Sequence, residues 1–211
     1  MIVGFPAVAM EQAPLTTALL LVDLQEGTVG SAQPTSRAGF DQRFQTRTLP
    51  KLQKLLALCR RQQLEVIHTV IENLTADGRD RSVDYKRCGM GFAPGSDAAR
   101  VIAPLAPQGD ELVLSKSSSS PFSSTSLDYL LRNLGIQQLI VAGVLTDQCI
   151  DHTIKDAADR GYRVICPTDA CQADSDDRHR QALACFQGYA RFLTVETLEL
   201  ELVTTGLSTG H

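Results

Sequence analysis

Short runs of mostly branched aliphatic side chains recur along the chain and alternate with segments of helical spacing, which limits the possible folds more than any other feature. Four runs are predicted to be buried strands, at 17–24 (TALLLVDL), 65–71 (EVIHTVI), 111–114 (ELVL) and 138–142 (QLIVA). Two shorter strands are predicted at 163–166 (RVIC) and 191–194 (RFLT). Uninterrupted apolar runs are typical of parallel strands in a sheet that is covered on both faces.

Segments with helical spacing lie between these strands. The clearest, at 49–62, has leucines at helical intervals and a proline in its first turn, where a missing backbone N–H is harmless. Further helices are predicted from Ser124 or Thr125 to Gly135, and at about 146–159 and 176–187. The repeated alternation of strand and helix predicts one α/β domain over 1–211, with three α/β/α layers and a doubly wound, mostly parallel sheet.

Charge and cysteine usage exclude several classes of function. The 211 residues carry 24 acidic and 20 basic side chains, a net charge of −4, so a basic footprint for nucleic acid or an anionic membrane is missing. The six cysteines show no C-x-x-C spacing, and no N-terminal segment resembles a secretory signal, so we expect a cytoplasmic protein with reduced thiols. No apolar run approaches the roughly 18 residues of a membrane span. The expected partner is a small-molecule substrate.

Polar side chains follow three of the predicted strands. Asp23 and Gln25 follow the first strand, Lys116 follows the third, and the loop after the fourth leads to Cys149 at the start of a helix. Ligands bind outside the carboxyl ends of the strands in doubly wound sheets, where these residues would supply a base, a cation and a nucleophile. Each also has a structural interpretation without catalysis. Asp23 could cap a helix or form an ion pair, Lys116 could be an exposed lysine, and Cys149 could be a cysteine of the core.

The position of Cys149 favours a reactive thiol. A side chain in the first turn of a helix faces unpaired backbone N–H groups and the positive end of the helix dipole, and both stabilise a thiolate. The ammonium group of Lys116 would lower the pKa of the thiol further. We therefore expect Cys149 to be a nucleophile, with Asp23 accepting the thiol proton and passing it to a leaving amine.

Three motifs, in order between about residues 15 and 194, closely resemble the isochorismatase-like cysteine hydrolases. They are D-x-Q after the first strand, a lysine after the third with S-x-F-S-S-T-x-L downstream, and G-V-L-T-D-Q-C-I-x-x-T-x-x-D-A at 143–157. The cysteine-loop motif is the specific one. The resemblance implies that Asp23, Lys116 and Cys149 form a catalytic triad, which hydrolyses an amide or ureide C–N bond through a thioester.

The resemblance also implies the surroundings of the nucleophile. A cis peptide bond is expected between Val144 and Leu145, and the backbone N–H groups of Leu145 and Cys149 are expected to form an oxyanion hole. The same resemblance implies a homodimer or a homotetramer.

Two departures from the family's motifs narrow the predicted activity, and three alternative functions stay open. The nicotinamidase-like members carry a D-x-H metal motif after the second strand, whereas residues 69–74 read TVIENL here with only His68 nearby, so we predict no catalytic metal and no other cofactor. Vinyl ether hydrolases of this fold lack the nucleophilic cysteine, so Cys149 argues against that activity. The alternatives are a vinyl ether hydrolase, a catalytically silent partner-binding member, and a thiol sensor in which a second cysteine resolves oxidised Cys149.

The substrate-binding residues are predicted from loops. The 73–95 segment is long, polar and rich in glycine and charge, and we expect a lid-like insertion or an oligomer contact. Arg79 within it is a candidate for binding a substrate carboxylate, although nearby aspartates also offer it partners. Gln25 and Phe122 are predicted to contribute to the pocket, and Phe122 alternatively anchors its loop to the core. His68 is predicted to be a hydrogen-bonded residue inside its strand.

Overall fold

The computed structural model describes residues 16–33 and 37–205, so the ends of the predicted 1–211 domain, including the N-terminal residues considered for a secretory signal, lie outside the described residues. Seven strands form one sheet with the order β3-β2-β1-β4-β5-β7, and β6 pairs with β4. Each strand pairing is parallel. The strands are β1 (Thr17–Val22), β2 (Glu65–Ile71), β3 (Leu112–Lys116), β4 (Gln138–Val144), β5 (Arg163–Pro167), β6 (Cys171–Gln172) and β7 (Arg191–Leu193).

The central position of β1 explains why its sequence is an uninterrupted apolar run. Its six residues are all buried, because β2 and β4 flank it within the sheet and helices cover both faces. Leu20 pairs with Ile67 on one side and with Val141 on the other. The predicted three-layer α/β/α fold with a mostly parallel sheet is confirmed.

The described residues form eight α-helices and two π-helical turns. The helices are α1 (Ala38–Arg43), α2 (Leu49–Arg61), α3 (Val83–Cys88), α4 (Pro121–Ser124), α5 (Leu127–Asn133), α6 (Asp151–Asp159), α7 (Asp176–Cys185) and α8 (Val195–Thr205). The π-helical turns, Phe44–Thr48 and Thr146–Ile150, lead directly into α2 and α6. Helix α2 packs against β2 and α8, whereas α4 packs against α5 and α6. None of the helices within 16–33 and 37–205 is both long and apolar enough to cross a membrane.

Several boundaries differ from the prediction: β3 extends to Lys116 rather than residue 114 and β4 to Val144 rather than residue 142. Two further differences have local reasons. Strand β1 ends at Val22 rather than at residue 24, because Asp23 adopts a left-handed φ of 58° that turns the chain out of the sheet. The helix expected from Ser124 or Thr125 is divided into α4 and α5. Thr125 lies between them, and its Oγ1 accepts a hydrogen bond from the backbone N–H of Leu127 at 3.0 Å, which starts α5.

Four of these elements were absent from the sequence prediction: the short helices α1 and α3, helix α8 and strand β6. Helix α8 buries Val195, Leu198 and Leu202, but Leu198, Leu200 and Leu202 alternate with glutamates, a spacing that is equally typical of a strand. Strand β6 is two residues long, which is too short to show any period. It forms only because the parallel pairing with β4 brings its backbone beside Gly143 and Val144.

Candidate active site

Three of the predicted residues meet at the carboxyl edge of the sheet. Asp23 directly follows β1, Lys116 is the last residue of β3, and Cys149 lies in the π-helical turn after β4. Lys116 Nζ lies 3.0 Å from Asp23 Oδ2 and 3.4 Å from Cys149 Sγ. Strand β2 separates β3 from β1 in the sheet, so a long side chain is needed to bring a cation from β3 to Asp23.

The three groups are withdrawn from solvent and change one another's ionisation. Asp23, Lys116 and Cys149 are 1%, 0% and 4% exposed. Burial raises the pKa of the Asp23 carboxyl, and the Lys116 ammonium opposes this effect. Burial by itself lowers the pKa of Lys116, but the negative charge of Asp23 and the hydrogen bonds to Asp23 and Cys149 outweigh it and hold that pKa above its ordinary value. Lys116 is therefore a cation beside a carboxylate that is more basic than usual.

The thiol of Cys149 differs from the expectation that a thiolate is favoured. Burial, followed by the negative charge of Asp23, raises the pKa of Cys149 to about 12, against the opposing charge of Lys116. The free-energy cost of removing a thiolate from water outweighs its attraction to the Lys116 ammonium, so Cys149 is a thiol at neutral pH. Asp23 Oδ2 pairs with Lys116 Nζ at 3.0 Å, and the carboxylate also lies within hydrogen-bonding reach of the Cys149 thiol, so it is placed to accept the thiol proton.

The loop between β4 and Cys149 forms one wall of the site. The peptide bond between Val144 and Leu145 is cis, as the resemblance implies. Leu145 and Cys149, whose backbone N–H groups were predicted to form an oxyanion hole, both line the cavity in front of the thiol. The cavity therefore gives a substrate carbonyl access to the residues expected to bind its oxyanion.

Helix α7 supports this loop through side-chain contacts. His179 Nδ1 and Thr146 Oγ1 are 2.8 Å apart, and Arg178 Nε donates to Asp147 Oδ2 at 2.6 Å. Both supported residues belong to the π-helical turn that carries Cys149. The position of the nucleophile therefore depends on a helix that begins 27 residues further along the chain, Asp176 against Cys149.

Gly143 allows β4 to approach β1 at the point where the site begins. It has a φ of 134°, and a Cβ added there would lie 2.2 Å from the backbone oxygen of Val22. Neither backbone can retreat without breaking the pairing between β1 and β4. We expect Gly143→Ala to lower the free energy of unfolding by about 3 kcal/mol or more, measured by urea denaturation.

Gly135, at the end of α5, is the matched control. Its φ is 65°, but an added Cβ would meet no described atom within 4 Å. Gly135→Ala therefore changes only the backbone conformational energy, by about 1–2 kcal/mol. Equal losses of stability in the two variants would contradict the close approach of β1 and β4 as the reason for glycine at 143.

A cavity of about 430 Å³ lies beside Cys149 and combines apolar walls with a few polar groups. Ile71, Met90 and Phe92 are among its apolar residues, and Gln148 and Arg37 are among its polar ones. A volume of this order holds a small molecule rather than a polymer.

Gln25, predicted to bind substrate, lies outside the cavity wall. Gln25 is fully buried and does not line the cavity. Its Nε2 donates to the backbone oxygens of Ile71 and Ala98 at 2.9 Å each, and its Oε1 accepts from the backbone N–H of Ile71 at 2.6 Å. Because the nitrogen and the oxygen of the Gln25 side-chain amide are both bonded to backbone groups, this side chain holds the loop after β1 against the end of β2.

Phe122 and Arg79, also predicted to contribute to substrate binding, lie outside the cavity wall as well. Phe122, at the start of α4, is buried against the ring of Tyr162 and the guanidinium group of Arg160, so it anchors its loop to the core. The side chain of Arg79 is 75% exposed and pairs with Asp77, and neither Arg79 nor Phe122 lines the cavity. The arginine in the cavity wall is Arg37, which the sequence analysis did not single out.

The 73–95 segment forms a wall of the cavity. Its ends are joined because the backbone N–H of Asn73 donates to Phe92 O at 2.8 Å, and Cys88 to Phe92 face the cavity. Its helix α3 carries Tyr85, which is 4% exposed and whose hydroxyl lies 2.9 Å from Lys116 Nζ and 3.4 Å from Cys149 Sγ. The sequence analysis missed Tyr85. Its one signal was a tyrosine within a strongly charged segment, which by itself predicts no contact with the nucleophile.

None of the three histidines within the described residues has a described hydrogen bond to Asp23, Lys116 or Cys149. His68 is buried in β2, where its Nε2 lies 3.3 Å from Glu111 Oε2 and burial lowers its pKa, so the prediction of a hydrogen-bonded strand residue is confirmed. His152 and His179 lie on α6 and α7. Within residues 16–33 and 37–205, no three His, Cys, Asp or Glu side chains cluster in a way that could hold a metal ion.

Comparison with known proteins gives three relatives with related names. The chain is 32% identical to streptothricin hydrolase of Streptomyces noursei over 72% of its length, but it spans only about half of that protein, 48%. It is 27% identical to ureidoacrylate amidohydrolase of Acinetobacter baylyi, covering 83% of this chain and 78% of the relative. It is 29% identical to maleamate amidohydrolase of Pseudomonas putida, covering 79% and 76%.

Solved structures and a family model agree with these relatives. An isochorismatase family protein from Desulfovibrio vulgaris matches with a TM-score of 0.78 at 29% identity, covering 90% of this chain and 99% of that one. N-carbamoylsarcosine amidase from Thermoplasma acidophilum matches with a TM-score of 0.71 at 26% identity, covering 86% and 98%. The model of the isochorismatase domain matches residues 17–199, which include all seven strands and the residues around Cys149. The chain therefore belongs to the isochorismatase family.

Proposed function

We propose that the protein is a cysteine hydrolase that cleaves a C–N bond of a small amide, carbamoyl or ureido compound through a thioester. The observation that carries the proposal is the contact of Lys116 Nζ with both Asp23 Oδ2 and Cys149 Sγ, 3.0 and 3.4 Å away, beside a cavity that holds a small molecule. The names of the relatives, which are amidohydrolases and an amidase, support the same reaction class.

The first half of the reaction forms the thioester. Asp23 accepts the proton of the Cys149 thiol, and the sulfur attacks the carbonyl carbon while the carbonyl oxygen becomes an oxyanion. Backbone N–H groups of Leu145 and Cys149 are proposed to stabilise that oxyanion. The proton on Asp23 passes to the departing nitrogen as the C–N bond breaks, which releases an amine or ammonia. Lys116 keeps Asp23 ionised between these proton transfers by its positive charge.

The second half of the reaction hydrolyses the thioester. Asp23 removes a proton from a water molecule, whose oxygen attacks the thioester carbon. The carbon–sulfur bond then breaks, its electron pair returns to the sulfur of Cys149, and the proton held by Asp23 restores the thiol. The products are a carboxylic or carbamic acid and the free enzyme, so atoms and charges balance over the cycle.

Arg37 supports a substrate that carries a carboxylate away from the bond that breaks. Arg37 lines the cavity, and its guanidinium group forms an ion pair with Asp174 at 2.8 Å. This contact and the described hydrogen bonds to the backbone oxygen of Thr28 and to Gln33 engage three of its five N–H donors. The remaining donors suit a carboxylate, which guanidinium groups bind in a bidentate manner. Ureidoacrylate and maleamate, from which two of the relatives take their names, are both carboxylates.

Arg37→Met is expected to raise KM for a carboxylate substrate about 10- to 100-fold while changing kcat much less, because a charge-assisted pair that binds substrate and transition state equally is lost. The measurement is the steady-state hydrolysis of a carboxylate amide and of its neutral analogue. The neutral analogue should be hydrolysed equally well by both forms.

Arg79→Met is the matched control, since Arg79 is an exposed arginine outside the cavity. It should leave both constants unchanged. An unchanged KM in Arg37→Met, or an equal rise for the neutral analogue, would contradict a carboxylate contact at Arg37.

The test of the proposed function is the release of ammonia from a panel of small amides and ureides. The panel contains maleamate, ureidoacrylate, N-carbamoyl amino acids, biuret and nicotinamide, each incubated with the wild type and with Cys149→Ala. Release by the wild type alone supports a cysteine amidohydrolase and identifies its substrate class. Equal release by both proteins would exclude Cys149 as the nucleophile, and cleavage of a vinyl ether instead would favour the alternative activity.

The extent of the domain, the oligomeric state and the type of partner are also proposed. We propose a single catalytic domain over 1–211 that acts as a homodimer or homotetramer on a small molecule. A thiol sensor would require a second cysteine to resolve Cys149. Cys166 and Cys171 have sulfur atoms 3.8 Å from each other, whereas the described partners of Cys149 Sγ are Tyr85, Lys116 and Asp23.

A further inference from the structure

Tyr85 reaches the reacting sulfur from the segment that covers the cavity. Its hydroxyl lies 3.4 Å from Cys149 Sγ and 2.9 Å from Lys116 Nζ. The helix that carries it, α3, is held against the loop after β3, because the backbone N–H of Ser82 donates to Ser117 O at 2.9 Å. The tyrosine is therefore positioned at the nucleophile and is not a mobile surface residue.

The direction of each hydrogen bond follows from the available protons. A lysine ammonium has three N–H donors and no acceptor, so Lys116 donates to the phenol oxygen of Tyr85. The single O–H of Tyr85 is then directed elsewhere, and Cys149 Sγ lies within range of it. Once Cys149 has lost its proton, Tyr85 is the donor in this contact, because a thiolate has no proton to give.

The hydroxyl keeps its proton throughout the reaction. Burial raises the pKa of Tyr85, and the negative charges that Cys149 and Asp23 can carry raise it further. Tyr85 therefore acts as a neutral donor and does not compete with Asp23 as a base.

We propose that Tyr85 is a further catalytic residue: its hydroxyl, oriented by Lys116, donates a hydrogen bond to the sulfur of Cys149 and stabilises the thiolate. The proposal rests on the proposed function for its role in turnover. When Cys149 attacks, the thiol proton goes to Asp23 while the Tyr85 O–H bond stays intact. When the thioester breaks, the electron pair of the carbon–sulfur bond returns to sulfur, and the same hydrogen bond stabilises the departing thiolate.

The test is the rate at which iodoacetamide alkylates Cys149, followed by peptide mass spectrometry as a function of pH. Tyr85→Phe retains the buried ring and removes the donor. We expect it to slow alkylation of Cys149 about 10- to 100-fold near pH 8, and to move the pH dependence of alkylation to higher pH, because a hydrogen bond to a charged acceptor is lost. For any substrate that is turned over, kcat/KM should fall by a similar factor.

Two controls are available within the chain. Tyr129 is a 70% exposed tyrosine on α5, and Tyr129→Phe should change neither rate. Cys88 is an exposed cysteine on α3 itself, so its alkylation rate in Tyr85→Phe is the internal reference for the reactivity of iodoacetamide towards a thiol outside the triad. An unchanged rate at Cys149 would overturn the proposal and leave Tyr85 as a packing residue.

A second replacement keeps the test decisive where Tyr85→Phe fails to fold. 3-Fluorotyrosine incorporated at position 85 retains the hydroxyl and makes it a stronger donor, so alkylation of Cys149 should become faster. A slower or unchanged rate would overturn the proposal. Because alkylation needs no substrate, these outcomes are independent of the ammonia-release test: a protein that hydrolyses no amide still reveals whether Tyr85 stabilises the thiolate.

Discussion

Cys149→Ala is expected to reduce turnover of any amide or ureide substrate by about 10⁴-fold or more, because no other group can form the thioester. The fold should remain intact. Cys149 is a small side chain at the edge of the core, so we expect its truncation to lower the free energy of unfolding by no more than about 2 kcal/mol. Steady-state kinetics together with urea denaturation measure both effects.

The matched control is Cys59→Ala, which truncates a fully buried cysteine of α2 and should retain turnover. Rapid quenching of the wild type during turnover should also give a protein heavier by the mass of the acyl group, located on Cys149 by peptide mapping. Turnover by Cys149→Ala at more than a few per cent of the wild-type rate would contradict the thioester mechanism.

Asp23→Asn is expected to lower kcat/KM by about 10³- to 10⁴-fold, because an asparagine cannot accept the proton of a thiol whose pKa is raised to about 12. The pH dependence of the wild type follows from the same group. Burial raises the pKa of Asp23, and the ionised form is the base, so kcat/KM should fall as the pH is lowered through that raised pKa. A pH profile without an acidic limb, or an active Asp23→Asn, would contradict the role of Asp23.

Measurements of stability test the ion pair between Asp23 and Lys116 independently of catalysis. Lys116→Met leaves the buried carboxylate of Asp23 without its cation, and breaking a buried pair in this way typically costs about 3–5 kcal/mol. The pKa of Asp23 should then rise further. A carboxyl group with a raised pKa in the folded state is most favourable below its unfolded pKa, so Lys116→Met should be more stable near pH 4 than near pH 8.

The double variant Asp23→Asn with Lys116→Met removes both buried charges. It should recover most of the lost stability while remaining inactive, since neither the base nor the cation is present. Chemical denaturation of the wild type, both single variants and the double variant at two pH values measures the coupling. Additive losses in the double variant would contradict a direct ion pair between Asp23 and Lys116.

The parallel sheet and the three residues of the proposed triad were accessible from the sequence. Apolar runs without interruption require a sheet that is covered on both faces, and parallel strands bring their carboxyl ends to one edge. Asp23 directly follows β1, Lys116 ends β3 and Cys149 lies just beyond β4, so they converge without any knowledge of the loops. The cis bond before Leu145 followed from the resemblance of the cysteine loop and was also confirmed.

The residues that surround the reacting groups were decided by the tertiary structure. Gln25 is two residues from Asp23, but the left-handed turn at Asp23 sends it into the interior, where the backbone of Ile71 and Ala98 occupies its amide. Tyr85 reaches Cys149 across 64 residues of sequence, and Arg37 rather than Arg79 reaches the cavity. Periodicity describes neighbours along one element, whereas the paths of loops depend on contacts with distant parts of the chain.

The ionisation of Cys149 also depends partly on features visible in the sequence and partly on the tertiary structure. Its place at the start of a helix and the presence of a lysine were visible in the sequence, and both favour a thiolate. The degree of burial depends on every element packed around the site, and here burial dominates and keeps the group a thiol. The sequence by itself therefore determined which side chains meet at the sheet edge, because strand direction places them. Only the tertiary structure decided their protonation and their partners, because desolvation and loop packing are properties of the whole fold.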